Sequence, residues 1–145
     1  MPDLTPAQPT LRSFRVVSVS GQHNERAVGS ELQIALHNDI ELGLSVPSVA
    51  GAPLVVDVRI KVTATATDTP DADELAALAS TYVGRFLYDD GITEATVAPL
   101  LERRRYQYEL AAQVYPLVMT HFRRELQSMG LDARELPLGL AWSVD

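Results

Sequence analysis

The sequence predicts an α+β protein in which a four-stranded antiparallel sheet packs on a long C-terminal helix. Two long segments alternate apolar and polar side chains with the two-residue period of a strand. A third segment is aromatic and valine-rich, and beyond residue 91 the apolar spacing becomes that of a helix. Strands that come first and helices that follow are typical of an antiparallel sheet covered by helix on one face.

The start of the chain divides into an arm, a strand and a loop. Residues 1–10 contain three prolines and are predicted to form a flexible arm, which leaves 11–145 as the folded domain. Segment 11–20 is rich in valine and is predicted to be the first strand. The polar stretch 21–30, which contains two glycines, is predicted to be a loop.

The strongest pattern lies in segments 31–46 and 54–67. Every even position from 32 to 46 is apolar except Asn38, and so is every even position from 56 to 66. Both segments are therefore predicted to be strands whose even faces are buried beneath the 114–129 helix. Asn38 is expected to mark a bulge or bend in a strand of unusual length. The opposite, solvent-facing side is expected to carry Glu31, Glu41, Arg59, Lys61 and the threonines.

Segment 74–88 combines two tendencies. Its first half is rich in alanine and leucine, whereas its second half is aromatic and β-like. Because a short turn separates it from the preceding strand, a hairpin is favoured, and the segment is predicted to be the fourth strand. Gly84 is expected to lie at a bulge.

Helical spacing dominates the last third of the chain. Residues 93–113 are predicted to form one helix. Pro116 is expected in the first turn of a second helix or at a kink. This second helix is predicted to end at Gly130, before an extended tail. Its apolar stripe comprises Leu117, Val118, Phe122, Leu126 and Met129.

Composition restricts the function. The 145 residues carry a net charge of −7 and no cysteine. The absence of cysteine excludes disulfides, thiolate zinc sites and cysteine nucleophiles, and the acidity argues against nucleic-acid binding. No apolar run is long enough to cross a membrane and no basic and apolar leader begins the chain, so a soluble, cytoplasmic protein is expected.

No group of residues has the spacing of a catalytic site, so no enzymatic activity, cofactor or metal is expected. His121 and Glu125 are four residues apart, which favours a helix histidine with an ion-pair neighbour over a metal site. The acidic turn of Asp68, Asp71, Asp73 and Glu74 lacks the spacing of a calcium loop. The run 103–105 of three arginines is interpreted as a solvated helix face or a subunit contact rather than a basic binding patch.

Aromatic residues concentrate from the fourth strand onward. One interpretation is that they fill the core between sheet and helix. The other is that they line an apolar groove that holds extended peptide segments. The sequence alone favours the core for any individual residue.

Four segments, in the same order, resemble the SecB family of export chaperones. They are VRIKVTATA at 58–66, TYVGRFLYDDGI at 81–92, VYPLVMTHFRRELQSMG at 114–130 and LPLGL at 136–140. The resemblance implies that two sheets pair in a dimer and that helices join two dimers into a homotetramer. It also implies an ATP-independent holdase that binds unfolded or nascent polypeptides in apolar grooves and keeps them competent for translocation.

The resemblance implies a set of groove residues and several partners. The candidate groove residues are Leu42, Leu44, Tyr82, Phe86, Tyr88, Tyr115, Phe122 and Trp142. In the family, acidic strand surfaces and a basic tail engage the translocation motor SecA, whereas LRSFRVVSVS at 11–20 contains no acid and the basic tail is missing. Two alternatives therefore stay open: a SecB-like chaperone dedicated to an antitoxin of a toxin–antitoxin system, and a small-ligand-binding α+β domain.

Overall fold

The computed structural model describes residues 8–23, 32–49, 51–67 and 74–141, and in these ranges four strands precede two helices. The strands are β1 (Thr10–His23), β2 (Gln33–Ser45), β3 (Val55–Thr67) and β4 (Ala76–Leu87). The helices are α1 (Glu94–Leu101) and α2 (Arg104–Ser128). The predicted α+β class with a four-stranded antiparallel sheet is confirmed.

The strands lie in the order β1-β4-β3-β2, and every neighbouring pair is antiparallel. The predicted hairpin between the third and fourth strands is present as β3 and β4. The strands β1 and β2 are consecutive in sequence but lie at opposite edges of the sheet. Among the described strands, each of them therefore has one hydrogen-bonded neighbour.

The structure shows no bulge at Asn38–Asp39 or at Gly84, so the bulge predicted at Gly84 is wrong and, of the bulge or bend expected at Asn38–Asp39, the bulge is excluded. Asn38 pairs with Val62 and Gly84 pairs with Val58 in ladders that continue without interruption. The register shifts lie on β1 instead, between residues 11 and 13 and between residues 16 and 18.

Gly84 has a packing role. A Cβ built on Gly84 would lie 2.6 Å from Cγ2 of Val114 and 3.0 Å from its Cγ1. Real Cβ atoms do not approach other carbons so closely, because repulsion rises steeply below van der Waals contact. Glycine at this position therefore allows α2 to approach β4 closely.

The core lies between α2 and the two central strands. The even-numbered residues of β3 are at most 2% exposed, so this part of the predicted buried face is confirmed. The even-numbered residues of β2 are only half-buried, so the same prediction is wrong for β2. On the opposite face Glu41, Arg59 and Lys61 are exposed as predicted, while Glu31 lies outside the described residues.

The helical region divides differently from the prediction. The predicted helix 93–113 is interrupted after Leu101, and α2 continues from Arg104 through Pro116 to Ser128. Pro116 thus lies in a helix interior. It lacks the backbone N–H that would otherwise donate a hydrogen bond to the carbonyl of the fourth residue before it. Leu117, assigned to the apolar stripe, is 42% exposed. Gly130 ends the helix with a φ of +82°, as its type predicts.

The strand β1 extends beyond its predicted end at residue 20. Gly21 lies within the strand, and a Cβ on it would be 3.3 Å from both Cδ1 of Leu78 and the sulfur of Met129. The missing side chain therefore leaves space for these two residues. Of the predicted arm 1–10, residues 1–7 lie outside the described part of the chain, and Thr10 already belongs to β1.

The segment after α2 folds back along that helix. Arg123 donates from Nε to the carbonyl of Ala133 at 3.0 Å and from Nη2 to the carbonyl of Arg134 at 2.9 Å. Leu131 and Ala133 are buried against the core. Neither described helix is long and apolar enough to cross a membrane.

Candidate functional site

The edge strand β2 carries a row of half-buried apolar side chains. They alternate along the strand and lie on the face that meets the core. Because α2 packs over the central strands, it covers this row only partly. We call these residues the β2 row: Ile34, Leu36, Ile40, Leu42 and Leu44.

A depression with a volume of about 210 Å³ lies between the β2 row and the start of α2. Its wall combines residues of β2, of α2 and of the segment after α2. They are Ile40, Leu42, Arg104, Gln107, Tyr108, Ala111, Leu140 and Ala141. The β2 row and this depression together are called the β2–α2 groove.

Two polar residues of the groove wall have hydrogen-bond partners within the chain. The hydroxyl of Tyr108 donates to the carbonyl of Leu140 at 3.0 Å, which holds the returning segment against α2. The Gln107 amide donates to the carbonyl of Leu101 at the junction of the two helices. These bonds direct the polar groups of Gln107 and Tyr108 to the backbone, so the part of the groove beside them is suited to apolar side chains.

One polar residue interrupts the β2 row. The Asn38 amide nitrogen donates to the hydroxyl of Tyr115 at 2.9 Å, which connects β2 to α2. The Asn38 amide oxygen is buried and has no hydrogen-bond partner among the described residues. A buried polar atom without a partner destabilises the folded state. The hydrogen bond to Tyr115 offsets part of the cost of burying the Asn38 amide.

The structure separates the predicted groove residues into two groups. Leu42 and Leu44 lie on the β2 row. Five aromatic residues are at most 3% exposed in this chain and fill the core: Tyr82, Phe86, Tyr88, Tyr115 and Phe122. Trp142 lies outside the described residues. Direct contact of the predicted groove residues with a polypeptide stays a prediction. In this chain the five aromatic residues are part of the core, as the first interpretation of the aromatics expects.

The residues of β4 lie far from the groove. Tyr82 pairs with Ile60 on β3, and Ile60 pairs with Ile40 on β2. Two interstrand spacings therefore separate Tyr82 from the groove, which is about 10 Å.

Tyr82 belongs to a chain of polar contacts between β4 and α2, on the same face of the sheet as the β2 row but nearer the β1 edge. Its hydroxyl lies 2.8 Å from Nδ1 of His121, and Nε2 of His121 lies 3.4 Å from a carboxylate oxygen of Glu125. The predicted ion-pair neighbour of His121 is thus in place. Burial raises the pKa of Tyr82 to about 12, so its hydroxyl stays neutral. Within the described ranges, no three metal-ligating side chains converge.

A second tyrosine bond joins the end of the sheet to α2. The hydroxyls of Tyr88 and Tyr106 lie 2.7 Å apart in the core. Burial raises the pKa of both groups, because the charged phenolate is poorly solvated there. Both groups are therefore neutral, and the bond is structural.

Several groove residues were missing from the predicted set. Ile40 belongs to the same alternating row as Leu42, so periodicity alone could have indicated it. Arg104 and Tyr108 join the groove through the packing of α2 beside β2, and Leu140 joins it through the return of the chain along α2. No local pattern in the sequence carries that information.

Comparison with known proteins finds a similar fold but no similar sequence. No protein-family model matches the chain, and no curated protein sequence matches it either. Among solved structures, the Mycobacterium tuberculosis Rv1957 SecB-like chaperone matches with a TM-score of 0.57 at 15% sequence identity. The match covers 94% of this chain and 91% of that one. The Rv1957 structure is a complex with a ChAD peptide from the Rv1956 HigA1 antitoxin. The chain therefore has the fold of a SecB-like chaperone.

Proposed function

We propose that this chain is a SecB-like, ATP-independent chaperone that holds an extended segment of another polypeptide in the β2–α2 groove. The observation that carries the proposal is the half-buried β2 row on an edge strand. In the folded monomer, apolar side chains at such positions stay partly in contact with water and gain only part of the free energy of full burial. An extended client segment supplies the missing cover.

Two kinds of contact are available to the client. Apolar side chains enter the groove, where burial is non-directional and tolerates many sequences. The outer edge of β2 offers backbone N–H and C=O groups, because within the described part of the chain this strand pairs only with β3. Together they favour a client that is extended and alternates apolar side chains, as unfolded segments do. No catalytic step, cofactor or metal is part of this function, which would operate in the cytoplasm.

We further propose that the client is an antitoxin rather than the general set of exported proteins. The support is the fold neighbour, which was solved with an antitoxin peptide. Export through SecA receives less support, because the described part of β1 carries no acidic residue. A toxin–antitoxin gene pair beside this gene, whose antitoxin binds the purified chain, is the expected finding. Its absence would count against the dedicated role.

The small-ligand alternative remains a hypothesis with weaker support. The groove depression of about 210 Å³ is smaller than the roughly 300–1,000 Å³ of typical ligand pockets, and two depressions of about 320 and 330 Å³ elsewhere on the described surface are open to solvent rather than enclosed.

The proposal includes self-association through β1. The valines at 16, 17 and 19 are 40–47% exposed, and β1 is an edge strand with little cover on either face. A second copy that pairs along β1 would cover this surface, and two such dimers would form the homotetramer. The expected solution mass is four times 15.8 kDa by light scattering. A strict monomer at micromolar concentration would contradict it.

The chaperone proposal is tested by aggregation of a reduced, unfolded client without ATP. The purified chain is expected to suppress light scattering at a stoichiometric ratio. Leu42→Asp, in the groove, is expected to remove most of the suppression, because a buried carboxylate in an apolar wall is costly. Ala35→Asp is the matched control, since Ala35 lies on the exposed face of β2, away from the groove and opposite the uncharged Thr65. No suppression by the unmodified chain contradicts the proposal.

A further inference from the structure

One end of the β2–α2 groove is positively charged. Among the described residues that line the depression, Arg104 is the only charged one. Its neighbours in the wall include Ile40 and Leu42 from β2 and Leu140 from the returning segment. An occupant therefore meets apolar wall along β2 and a guanidinium group at the start of α2.

None of the described residues neutralises the charge of Arg104 by an ion pair. Residues 103–105 are three exposed arginines, and the first turn of α2 contains no acidic residue. Arg105 pairs with Glu109 at 3.3 Å, whereas Arg103 and Arg104 make no ion pair with any described residue. The positive end of the helix dipole lies at the same place, so like charges accumulate there.

Arginines at the start of α2 are unexpected both for a helix N-terminus and for an acidic chain. Helices are stabilised by acidic residues in the first turn, and here arginines occupy those positions. The whole chain carries a net charge of −7, so a positive site at the groove is a local exception. Violations of local preference are expected at functional sites.

We propose that the groove recognises an extended client segment with alternating apolar residues and an acidic side chain at the end that lies over Arg104. This inference rests on the proposed chaperone function and deepens it. Apolar burial supplies most of the affinity, while the carboxylate fixes the direction and register of the segment. The acidic chain otherwise repels acidic segments, so a carboxylate is favoured only at this end.

The test uses synthetic peptides of about ten residues, a length comparable to the strand beside which they would lie. All share one alternating apolar sequence with an amidated C-terminus, and they differ at one end by Glu, Gln or Lys. A fourth peptide carries Glu at the opposite end, and a fifth ends in a free carboxylate without Glu. Affinity is measured by fluorescence anisotropy with the full chain at low and physiological salt.

The terminal-Glu peptide is expected to bind roughly fivefold more tightly than the Gln peptide, and the Lys peptide more weakly than both. Arg104→Glu should reverse this order. Arg105→Glu is the matched control, because Arg105 does not line the depression and already has a partner; it should keep the order. Circular dichroism and thermal melting verify that both variants fold. The advantage of Glu should shrink at higher salt.

Each remaining outcome has a defined meaning. If no peptide binds the unmodified chain, the proposed function fails. If the peptides bind with equal affinity, or Arg104→Glu leaves their order unchanged, the inference is overturned while the chaperone proposal stands. A Glu at the opposite end that binds as well overturns the fixed direction. If the peptide with the free C-terminal carboxylate binds more tightly than the Gln peptide and the terminal-Glu peptide does not, Arg104 recognises the end of a chain. That result overturns recognition of an acidic side chain.

Discussion

Ile60 and Ile40 face each other across the β3–β2 ladder and show how the centre of the sheet differs from its edge. They are the same residue type, on the same face and in direct register. Ile60 is fully buried, whereas Ile40 is half-buried on the β2 row. The difference arises from the position of α2, which lies over the central strands.

This pair shows that the alternation of apolar and polar residues predicts the face on which a residue lies but not how deeply that face is buried. The period identifies which residues share a face, and it does so equally well for β2 and β3. How deeply that face is covered depends on the neighbours of the strand in the sheet. The central strands of the sheet therefore supply most of the buried core, and the edge strands are available to other chains.

The largest effect on stability is expected from Ile60→Ala. It removes a fully buried side chain and should lower the free energy of unfolding by about 2–5 kcal/mol. Ile40→Ala should cost only about 1–2 kcal/mol, because part of that side chain is already in contact with water. Urea denaturation at one fixed chain concentration measures both. Equal losses would remove the distinction between centre and edge.

The next largest effect is expected from Gly84→Ala, which forces a methyl group against Val114 between β4 and α2. Overpacking of this kind costs about 1–3 kcal/mol. The double variant Gly84→Ala with Val114→Ala should recover part of the loss, since the second change creates the space that the first requires. A double-mutant cycle measures this coupling. Strictly additive losses would mean that the close approach is not the cause.

A smaller effect is expected at the bond that links the edge to the centre. Tyr115→Phe removes the hydroxyl that accepts from Asn38 and leaves both polar ends of that buried amide without a partner. The cost should be about 1–2 kcal/mol in the free energy of unfolding. Adding Asn38→Leu should restore stability, because the orphaned amide is then absent. A double variant as unstable as Tyr115→Phe alone would contradict this explanation.

The smallest effect at neutral pH is expected from Tyr82→Phe, and it should become visible only in alkali. The pKa of Tyr82 rises from 10.0 to about 12 on folding, mainly through burial. A raised pKa means that the neutral form is favoured in the fold, so its contribution is complete below pH 10 and is lost as the pH rises toward 12. Stability measured between these values should fall less in Tyr82→Phe than in the unmodified chain. Parallel curves would argue against this assignment.

Periodicity predicted most of the fold and only part of the site. The alternation in 31–46 and 54–67 identified two strands and their faces, and the change to helical spacing identified the α+β class. The strand order could not be obtained in this way, because it depends on contacts between distant segments. Without that order, the half-covered state of β2 has no local signature.

The aromatic residues show why site prediction was harder. A tyrosine or phenylalanine suits a core and a groove wall equally well, since both bury apolar area. Tyr82 and Phe122 are fully buried in this chain, while the groove wall is built largely from aliphatic residues and Tyr108. From the sequence, the run 103–105 is interpreted as a solvated helix face or a subunit contact. The apolar neighbours of Arg104 in the groove come from segments far away in the sequence, so no local pattern indicates them.

The pairing of β1 with β4 has a consequence for synthesis of the chain. The two strands meet across sequence separations that run from His23–Ala76 to Thr10–Leu87, so their contacts are strongly non-local. During translation β1 leaves the ribosome long before its partner exists. Its exposed valines at 16, 17 and 19 and its unpaired backbone are then accessible for the time needed to make the rest of the sheet. The nascent chain passes through the same aggregation-prone condition from which we propose that the finished protein protects others.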